Sequence, residues 1–254
     1  MKTDEVMCVL VVTSENFPKE NELKEKLIKE FPSIKTIVKN INKKNTNVIL
    51  GDKNIVIYGS GYITDKLGEY KFNISANSFY QINPVQTEKL YNLAIECANL
   101  NKDDIVFDLY CGIGTIGIFA AKYAKKVYGI EIVEEAIKDA KKNAKLNQID
   151  NIEFIAGDVE KLLDKLIYDK KIKPDVVFVD PPRKGLDTNT IENLLKIKPK
   201  KIVYISCNPA TLIRDLSKLE EKYDINEITP VDLFPYTSHV ECVALMGRKN
   251  NESE

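Results

Sequence analysis

Over the first 77 or so residues the hydrophobic positions come in short runs that change period. Met7 to Val12 is an apolar run of strand length, and Glu20 to Phe31 sets Leu23, Leu27 and Ile28 at helical spacing until Pro32 stops it. Ile34 to Ile41, Asn47 to Leu50, Ile55 to Tyr58 and Tyr70 to Ile74 read as short strands parted by Asn, Gly and Asp. This pattern predicts a small α+β unit over residues 1–77, with no catalytic constellation in it. Beyond Asn77 a polar and aromatic connector leads into a predicted helix, Val85 to Leu100, with Leu90, Leu93, Ala94 and Cys97 on one face. Strands near Ile105 to Leu109, Lys126 to Ile130, Ile152 to Ala156, Asp175 to Val179 and Lys201 to Ser206 then alternate with helices. That alternation predicts an α/β domain over 78–254 with a mainly parallel sheet covered on both faces. Ile225 to Leu233 and Val240 to Gly247 have no helix between them and are expected to close the sheet as an antiparallel pair at one side.

Composition narrows the class of protein. Apolar residues at 44% and charged residues at 30% belong to an ordinary globular chain and exclude a disordered one. The five cysteines, Cys8, Cys97, Cys111, Cys207 and Cys242, are odd in number, widely spaced and without a C-x-x-C pair. They argue against a disulfide framework or a metal site and for a reducing, cytoplasmic setting. No signal peptide and no apolar run long enough to span a bilayer is visible, so no membrane partner is expected. A net charge of −1 gives no global argument for nucleic acid. Lys35, Lys39, Lys43 and Lys44, and Lys196, Lys198, Lys200 and Lys201, are either phosphate contacts or solvated surface.

Candidate chemistry gathers at the carboxyl ends of the parallel strands, where open α/β sheets bind ligands. The first of them runs into Asp108-Leu-Tyr-Cys-Gly-Ile-Gly-Thr115, in which Gly112 and Gly114 permit a tight turn and close approach of a ligand. The third glycine of the dinucleotide fingerprint is missing. Glu131 ends the second strand, where a carboxylate can accept from both hydroxyls of a ribose, and Asp158 ends the third, suited to the exocyclic amine of adenine. Each acid alone also reads as a strand-end residue or a helix cap; the set in order fits an adenosine-containing ligand. With no Walker-type motif, a triphosphate is not expected.

The fourth strand ends in Asp180-Pro-Pro-Arg-Lys-Gly185, a proline-stiffened loop that puts Asp180 and Arg183 on the binding rim. The fifth ends at Cys207, and an Asn-Pro turn then starts a helix. Proximity to a helix N-terminus predicts a lowered thiol pKa and a thiolate nucleophile; equally, a free cysteine here can simply fill core space. Glu241 lies inside an apolar strand, where burial raises a carboxyl toward the range useful for proton transfer, unless Lys or Arg pairs with it for structure. His239, the sole histidine, reads as site-lining or strand-edge.

Together SFYQINP, DLYCGIGT, GIE, DPPRKG, SCNPATLIRD and HVECV, spanning Ser78 to Lys249 in order, closely resemble the RNA (uracil-5-)-methyltransferase family, and most closely its 23S ribosomal RNA branch. The resemblance implies a Rossmann-like S-adenosylmethionine-dependent methyltransferase fold. It implies that Gln81, Tyr110, Gly112, Gly114, Thr115, Glu131, Asp158 and Asp180 contact S-adenosylmethionine and its product S-adenosylhomocysteine. By the same resemblance Cys207 is the nucleophile, Glu241 the base that takes the proton from uracil C5, and Asp180, Arg183 and Phe79 bind the RNA substrate. Phe79, Tyr80 or Phe234-Pro-Tyr236 can stack on the target base or its neighbours. The family generally adds an amino-terminal oligonucleotide-binding barrel, and its ribosomal branch often a four-cysteine iron–sulfur cluster. Neither motif precedes residue 78, so the chain is expected to be a catalytic piece without such a cluster and with no obligatory protein partner. Two other readings are a module that only binds the cofactor, and an amino-group methyltransferase using Asp180-Pro-Pro.

Overall fold

A computed structural model describes residues 2–249. The chain divides into two compact units, Met1–Tyr80 and Gln81–Glu254. In the first, β1 (Val6–Val12) crosses through α1 (Glu20–Glu30) to β2 (Ile34–Ile41), which lies parallel to it, while β3 (Lys53–Tyr58) pairs antiparallel on the other side of β2. A separate hairpin joins β4 (Tyr62–Leu67) to β5 (Tyr70–Ser75), turned by Gly68 at φ 60°. Ile37, Val38, Leu67 and Phe72 are the centre of this unit's core.

Two expectations for this unit are corrected. Asn47 to Leu50 is not a strand: Val48 and Ile49 are exposed, and the Asn42 side-chain amide donates to both of their carbonyls, at 2.8 and 2.9 Å. Tyr62–Leu67 is a strand that the hydrophobic pattern hides, because one of its three inward positions, between Ile63 and Leu67, is the buried Asp65.

The second unit starts with α2 (Pro84–Ala98), capped by Asn83, whose Oδ1 accepts the Gln86 N–H, with Pro84 in the first turn. There follow β6 (Ile105–Leu109), α3 (Thr115–Ala121), β7 (Lys126–Glu131), α4 (Glu134–Leu146), β8 (Ile152–Ala156) and α5 (Val159–Asp164), which runs into a π-helical turn, Lys165–Asp169. The chain continues through β9 (Val176–Val179), α6 (Thr188–Ile197), β10 (Lys201–Ser206), α7 (Pro209–Leu219), β11 (Tyr223–Val231) and β12 (Glu241–Arg248). One seven-stranded sheet results, in the order β11-β12-β10-β9-β6-β7-β8, with β10 through β8 parallel. All four residues of β9, and Ile202 to Ile205 of β10, are buried, as strands covered on both faces must be. The chain builds from β6 outward to β8, then returns to the other side of β6, leaving a switch point between β6 and β9. The closing pair is antiparallel as expected, and β12 is wedged between β10 and β11. Among the described residues no helix is long and apolar enough to cross a membrane.

Candidate active site

Register brings the strand ends into line. Leu109 pairs with Ile130 on one side and Val179 on the other, Glu131 with Ala156, and Tyr204 with Val179. Tyr110, Glu131, Asp180 and Cys207 therefore emerge along one end of the sheet. β12 runs the other way, so its first residue arrives at the same end. Ser206 pairs with Cys242, so Glu241 opens β12 beside the end of β10, where it acts electrostatically on the Cys207 thiol.

On the β6–β7 side the backbone is shaped by positive φ at Tyr110 (64°), Gly112 (52°) and Gly114 (82°). A Cβ on Gly112 would meet nothing within 4 Å, whereas on Gly114 it would stand 2.4 Å from Phe154 Cζ. The first glycine thus opens the loop toward a ligand and the second lets it pack on β8. Glu131 is fixed at both oxygens: Oε2 accepts the Gly112 N–H at 3.2 Å and Oε1 the Val133 N–H at 2.9 Å. The Tyr110 hydroxyl donates to Asp187 Oδ2 at 3.4 Å, and burial raises its pKa. Thr115 Oγ1 donates to the Tyr91 hydroxyl at 3.3 Å. Asp158 caps α5, its Oδ1 accepting the Lys161 N–H at 3.3 Å, which leaves its second oxygen for another partner. Gln81 is half-buried, and two residues on, Asn83 Nδ2 donates to the Leu233 carbonyl at 3.1 Å. Phe79 belongs to the first unit, where it is exposed.

Asp108 is a residue that sequence reasoning passed over. It is fully buried within β6; Oδ2 accepts the Gly117 N–H at 2.8 Å, and Oδ1 has no partner among the described residues. Burial pushes its carboxyl up to about 7. An acid inside Ile-Val-Phe-Asp-Leu carries the same signal that singles out Glu241.

On the β9–β10–β12 side three acidic groups converge. Burial, then Glu241, then Asp108 push Asp180 up to about 8. Burial raises Glu241 to about 6, with Arg183 opposing. The Cys207 thiol is pushed upward by burial, then by Glu241 and Asp180, with Arg183 as the first opposing group. This reverses the lowered thiol expected from the helix N-terminus: burial first, and then two acids brought in from neighbouring strand ends, outweigh one helix end.

The loop carrying Asp180 and Arg183 is tied down by side chains of α7 and its cap. Asn208 Nδ2 donates to the Arg183 carbonyl at 3.1 Å, Thr211 Oγ1 to the same carbonyl at 3.3 Å, and Arg214 Nη2 to that of Lys184 at 2.8 Å. Buried Asp215 accepts at Oδ2 from the Leu186 N–H (2.7 Å) and the Tyr204 hydroxyl (2.8 Å). A Cβ on Gly185, at φ 77°, would stand 2.4 Å from that oxygen. Asn208, Arg214 and Asp215 were present in the SCNPATLIRD stretch, but their part in holding the neighbouring loop comes from tertiary structure. His239 is exposed, its ring edge-on to Phe234 at 6.4 Å. Among the described residues no group of three or more His, Cys, Asp or Glu side chains is arranged to hold a metal ion.

The sequence model described as tRNA (Uracil-5-)-methyltransferase matches residues 12–249. The chain belongs to this uracil-5-methyltransferase family. A protein of Oceanobacillus iheyensis named as an uncharacterized RNA methyltransferase is 51% identical over 248 residues, covering 97% of this chain and 54% of the relative. One of the same description from Clostridium acetobutylicum is 52% identical over 248 residues, with the same coverage. The chain thus spans about half the length of the relatives it matches. Among solved structures, the Pyrococcus abyssi tRNA (uracil-54, C5)-methyltransferase in complex with S-adenosyl-L-homocysteine is 32% identical at a TM-score of 0.75, over 95% of this chain and 56% of that one. In this chain of the uracil-5-methyltransferase family the seven-stranded sheet is therefore the Rossmann-like methyltransferase sheet that the motifs imply.

Proposed function

We propose that this chain is the catalytic part of an S-adenosylmethionine-dependent RNA methyltransferase acting on C5 of uracil. The observation that carries the reading is the antiparallel register of β10 and β12, which brings the start of β12, with Glu241, beside the end of β10, with Cys207, while Asp180 follows the end of neighbouring β9. The residues present fit an adenosine-bearing, cationic methyl donor. Open space lies where a Gly112 side chain would stand, Glu131 is fixed for ribose hydroxyls, and Asp108 has a buried oxygen without a partner. Gln81, Tyr110, Gly114, Thr115, Asp158 through its uncapped oxygen, and Asp180 complete the proposed donor site. S-adenosylmethionine supplies an electrophilic methyl group and leaves as S-adenosylhomocysteine.

Uracil C5 is too weak a nucleophile to take that methyl group unaided. Cys207, its proton given up to solvent, bonds through Sγ to C6, and the C5–C6 π electrons move toward the C4 oxygen as an enolate, making C5 nucleophilic. Once C5 is methylated, ionised Glu241 removes its proton; the C–H electron pair re-forms the C5–C6 double bond and expels Cys207 as thiolate. Asp180 and Arg183 orient the ring on the same rim. A base in a stack cannot offer C6 to a thiol, so the target is extruded into the site.

RNA with 5-fluorouridine at the target tests this, because fluorine cannot leave as a proton does. With S-adenosylmethionine, wild-type chain is expected to give a covalent complex stable in denaturant, and Cys207→Ala none; a wild type that gives none sinks the reading. Turnover retained in Cys207→Ala transfers the chain to amino-group methylation through Asp180-Pro-Pro, and binding of S-adenosylhomocysteine without any methyl transfer leaves a cofactor-binding module. The proposed RNA is 23S ribosomal RNA, on the motif resemblance, against the transfer RNA of the Pyrococcus relative. Mapping 5-methyluridine in cells lacking the gene discriminates between the two.

A further inference from the structure

Leu233 and the loop after it return to the end of the sheet that carries Cys207, because β12 starts there with Glu241. The hydrogen bond from Asn83 Nδ2 to the Leu233 carbonyl pins this loop beside the start of α2. On the two pinned segments stand large apolar side chains that the fold does not bury: Ile82 is 81% exposed, Val85 62%, and Tyr236 entirely. Tyr236 also sits at φ 66°, a left-handed backbone that a bulky residue adopts only at some cost. The turn is nevertheless well defined: the Phe234 carbonyl accepts both the N–H and the Oγ1 hydroxyl of Thr237, and Thr237 Oγ1 accepts the His239 N–H. A rigid, strained turn thus presents one aromatic ring fully to solvent, on a loop bonded to the segment that carries two exposed aliphatic side chains and a few residues before the carboxylate proposed as base.

We infer that Tyr236, with Ile82 and Val85 on the segment bonded to its loop, is a stacking platform for an unpaired nucleobase flanking the extruded target uracil. The inference rests on the RNA methyltransferase reading. Chemistry favours an RNA base over a protein side chain here. The apolar surface is one ring and two aliphatic residues, too little for a protein interface core, and the same rim carries exposed Arg183 and Lys184, cations suited to the phosphates either side of an extruded base. An aromatic face accepts any base, so the platform would grip the flanking nucleotide without specifying it.

The test uses this chain and a short RNA loop with 2-aminopurine next to the target uridine, following fluorescence quenching and affinity. Tyr236→Ala is expected to lose the quenching and about tenfold in affinity, the lower part of what one base–aromatic stack is worth. Tyr236→Phe should retain both. The salt slope of binding should stay unchanged in Tyr236→Ala and become shallower in Lys184→Gln, because only the lysine meets phosphate. Melting temperature should not move with either Tyr236 variant, since the side chain touches nothing the fold needs. Affinity of Tyr236→Ala within twofold of wild type, or Tyr236→Phe as weak as Tyr236→Ala, overturns the inference. So does wild-type self-association that Tyr236→Ala abolishes while RNA binding is kept, which gives the face to a second copy. A wild type that stacks the probe yet forms no 5-fluorouridine adduct removes the methyl-transfer reading and leaves the platform; an adduct with an indifferent Tyr236→Ala removes the platform alone.

Discussion

Glu131 and Glu241 stand at the same end of one sheet, separated by β6, β9 and β10, and the fold treats them in opposite ways. Glu131 is given two backbone N–H donors, one for each oxygen. Glu241 is buried, receives no hydrogen bond from the described residues, and has its carboxyl lifted to about 6. Each N–H donated to a carboxylate is worth roughly 1.5–3 kcal/mol, so two of them hold the Glu131 side chain in one position. Withholding such donors from a buried acid does the reverse: its proton moves readily near neutral pH. Asp180, raised to about 8 beside Glu241, belongs with the second kind, and Asp108, with one oxygen bonded and one orphaned, stands between. On the proposed function, binding and proton transfer are thus divided along one sheet edge by where the backbone supplies donors.

Abolishing the proton-handling side should have the largest effect. Glu241→Gln is expected to slow release of product by about 10²- to 10⁴-fold, the usual worth of a positioned base, while leaving the first addition intact. The covalent Cys207 complex should then accumulate on ordinary uridine. In the wild type the single-turnover rate should rise with pH through about 6 as Glu241 ionises, and that limb should vanish in the Gln variant. A variant that clears its adduct at the wild-type rate would place the base elsewhere. On the same side, Asp180→Asn removes an acid that ionises through about 8 and then holds the Cys207 proton on, so above pH 8 iodoacetamide should alkylate Cys207 faster than in wild type.

The raised acids also predict a pH-dependent stability of intermediate size. Asp108 is protonated more readily in the folded chain, at about 7, than in the unfolded one, at about 3.9. Its contribution is therefore fully present below pH 4 and is lost as pH rises through 7; Asp180 acts in the same direction up to about 8. The ligand-free chain should be less stable at pH 8 than at pH 5, by roughly 2–4 kcal/mol for Asp108 alone. Asp108→Asn keeps an oxygen for the Gly117 N–H and carries no charge, so its urea midpoint should flatten over this range and exceed that of wild type at pH 8. An unchanged slope would mean that Asp108 is not the group that titrates.

Much of this division was legible in the sequence, and the parts that were not share a cause. The parallel strands were visible because β9 and β10 are buried on both faces and so read as unbroken Val, Ile and Phe. The strand Tyr62–Leu67 was hidden by an acid on its inward face, and the false strand at Asn47 to Leu50 by two apolar residues that face solvent. Glu241 was conspicuous as an acid in an apolar run, and Asp108 carried the same signal inside a motif whose glycines drew the attention. What local reading could not supply was the sign of the Cys207 shift. The helix N-terminus beside it is local, whereas Asp180 and Glu241 reach it from strands 27 and 34 residues away in the chain. Sheet pairing that decides electrostatics leaves no mark in the neighbouring sequence.

The donor-held side should be the gentlest to disturb. Glu131→Gln keeps one carbonyl oxygen for either the Gly112 or the Val133 N–H, but its amide group then confronts the other N–H, donor against donor. The side chain must rotate off one bond, and a ribose loses one of its two acceptors. We expect about tenfold weaker binding of S-adenosylhomocysteine by calorimetry, the worth of one charge-assisted bond exchanged for a neutral one. The melting temperature should move little, because Glu131 is only half-buried and its donors can turn to water. At saturating S-adenosylmethionine the single-turnover rate should return to that of wild type, unlike that of Glu241→Gln, since two donors make Glu131 a matter of position. If saturation failed to restore the rate, Glu131 would do more than hold the methyl donor, and the contrast with Glu241 would be one of degree.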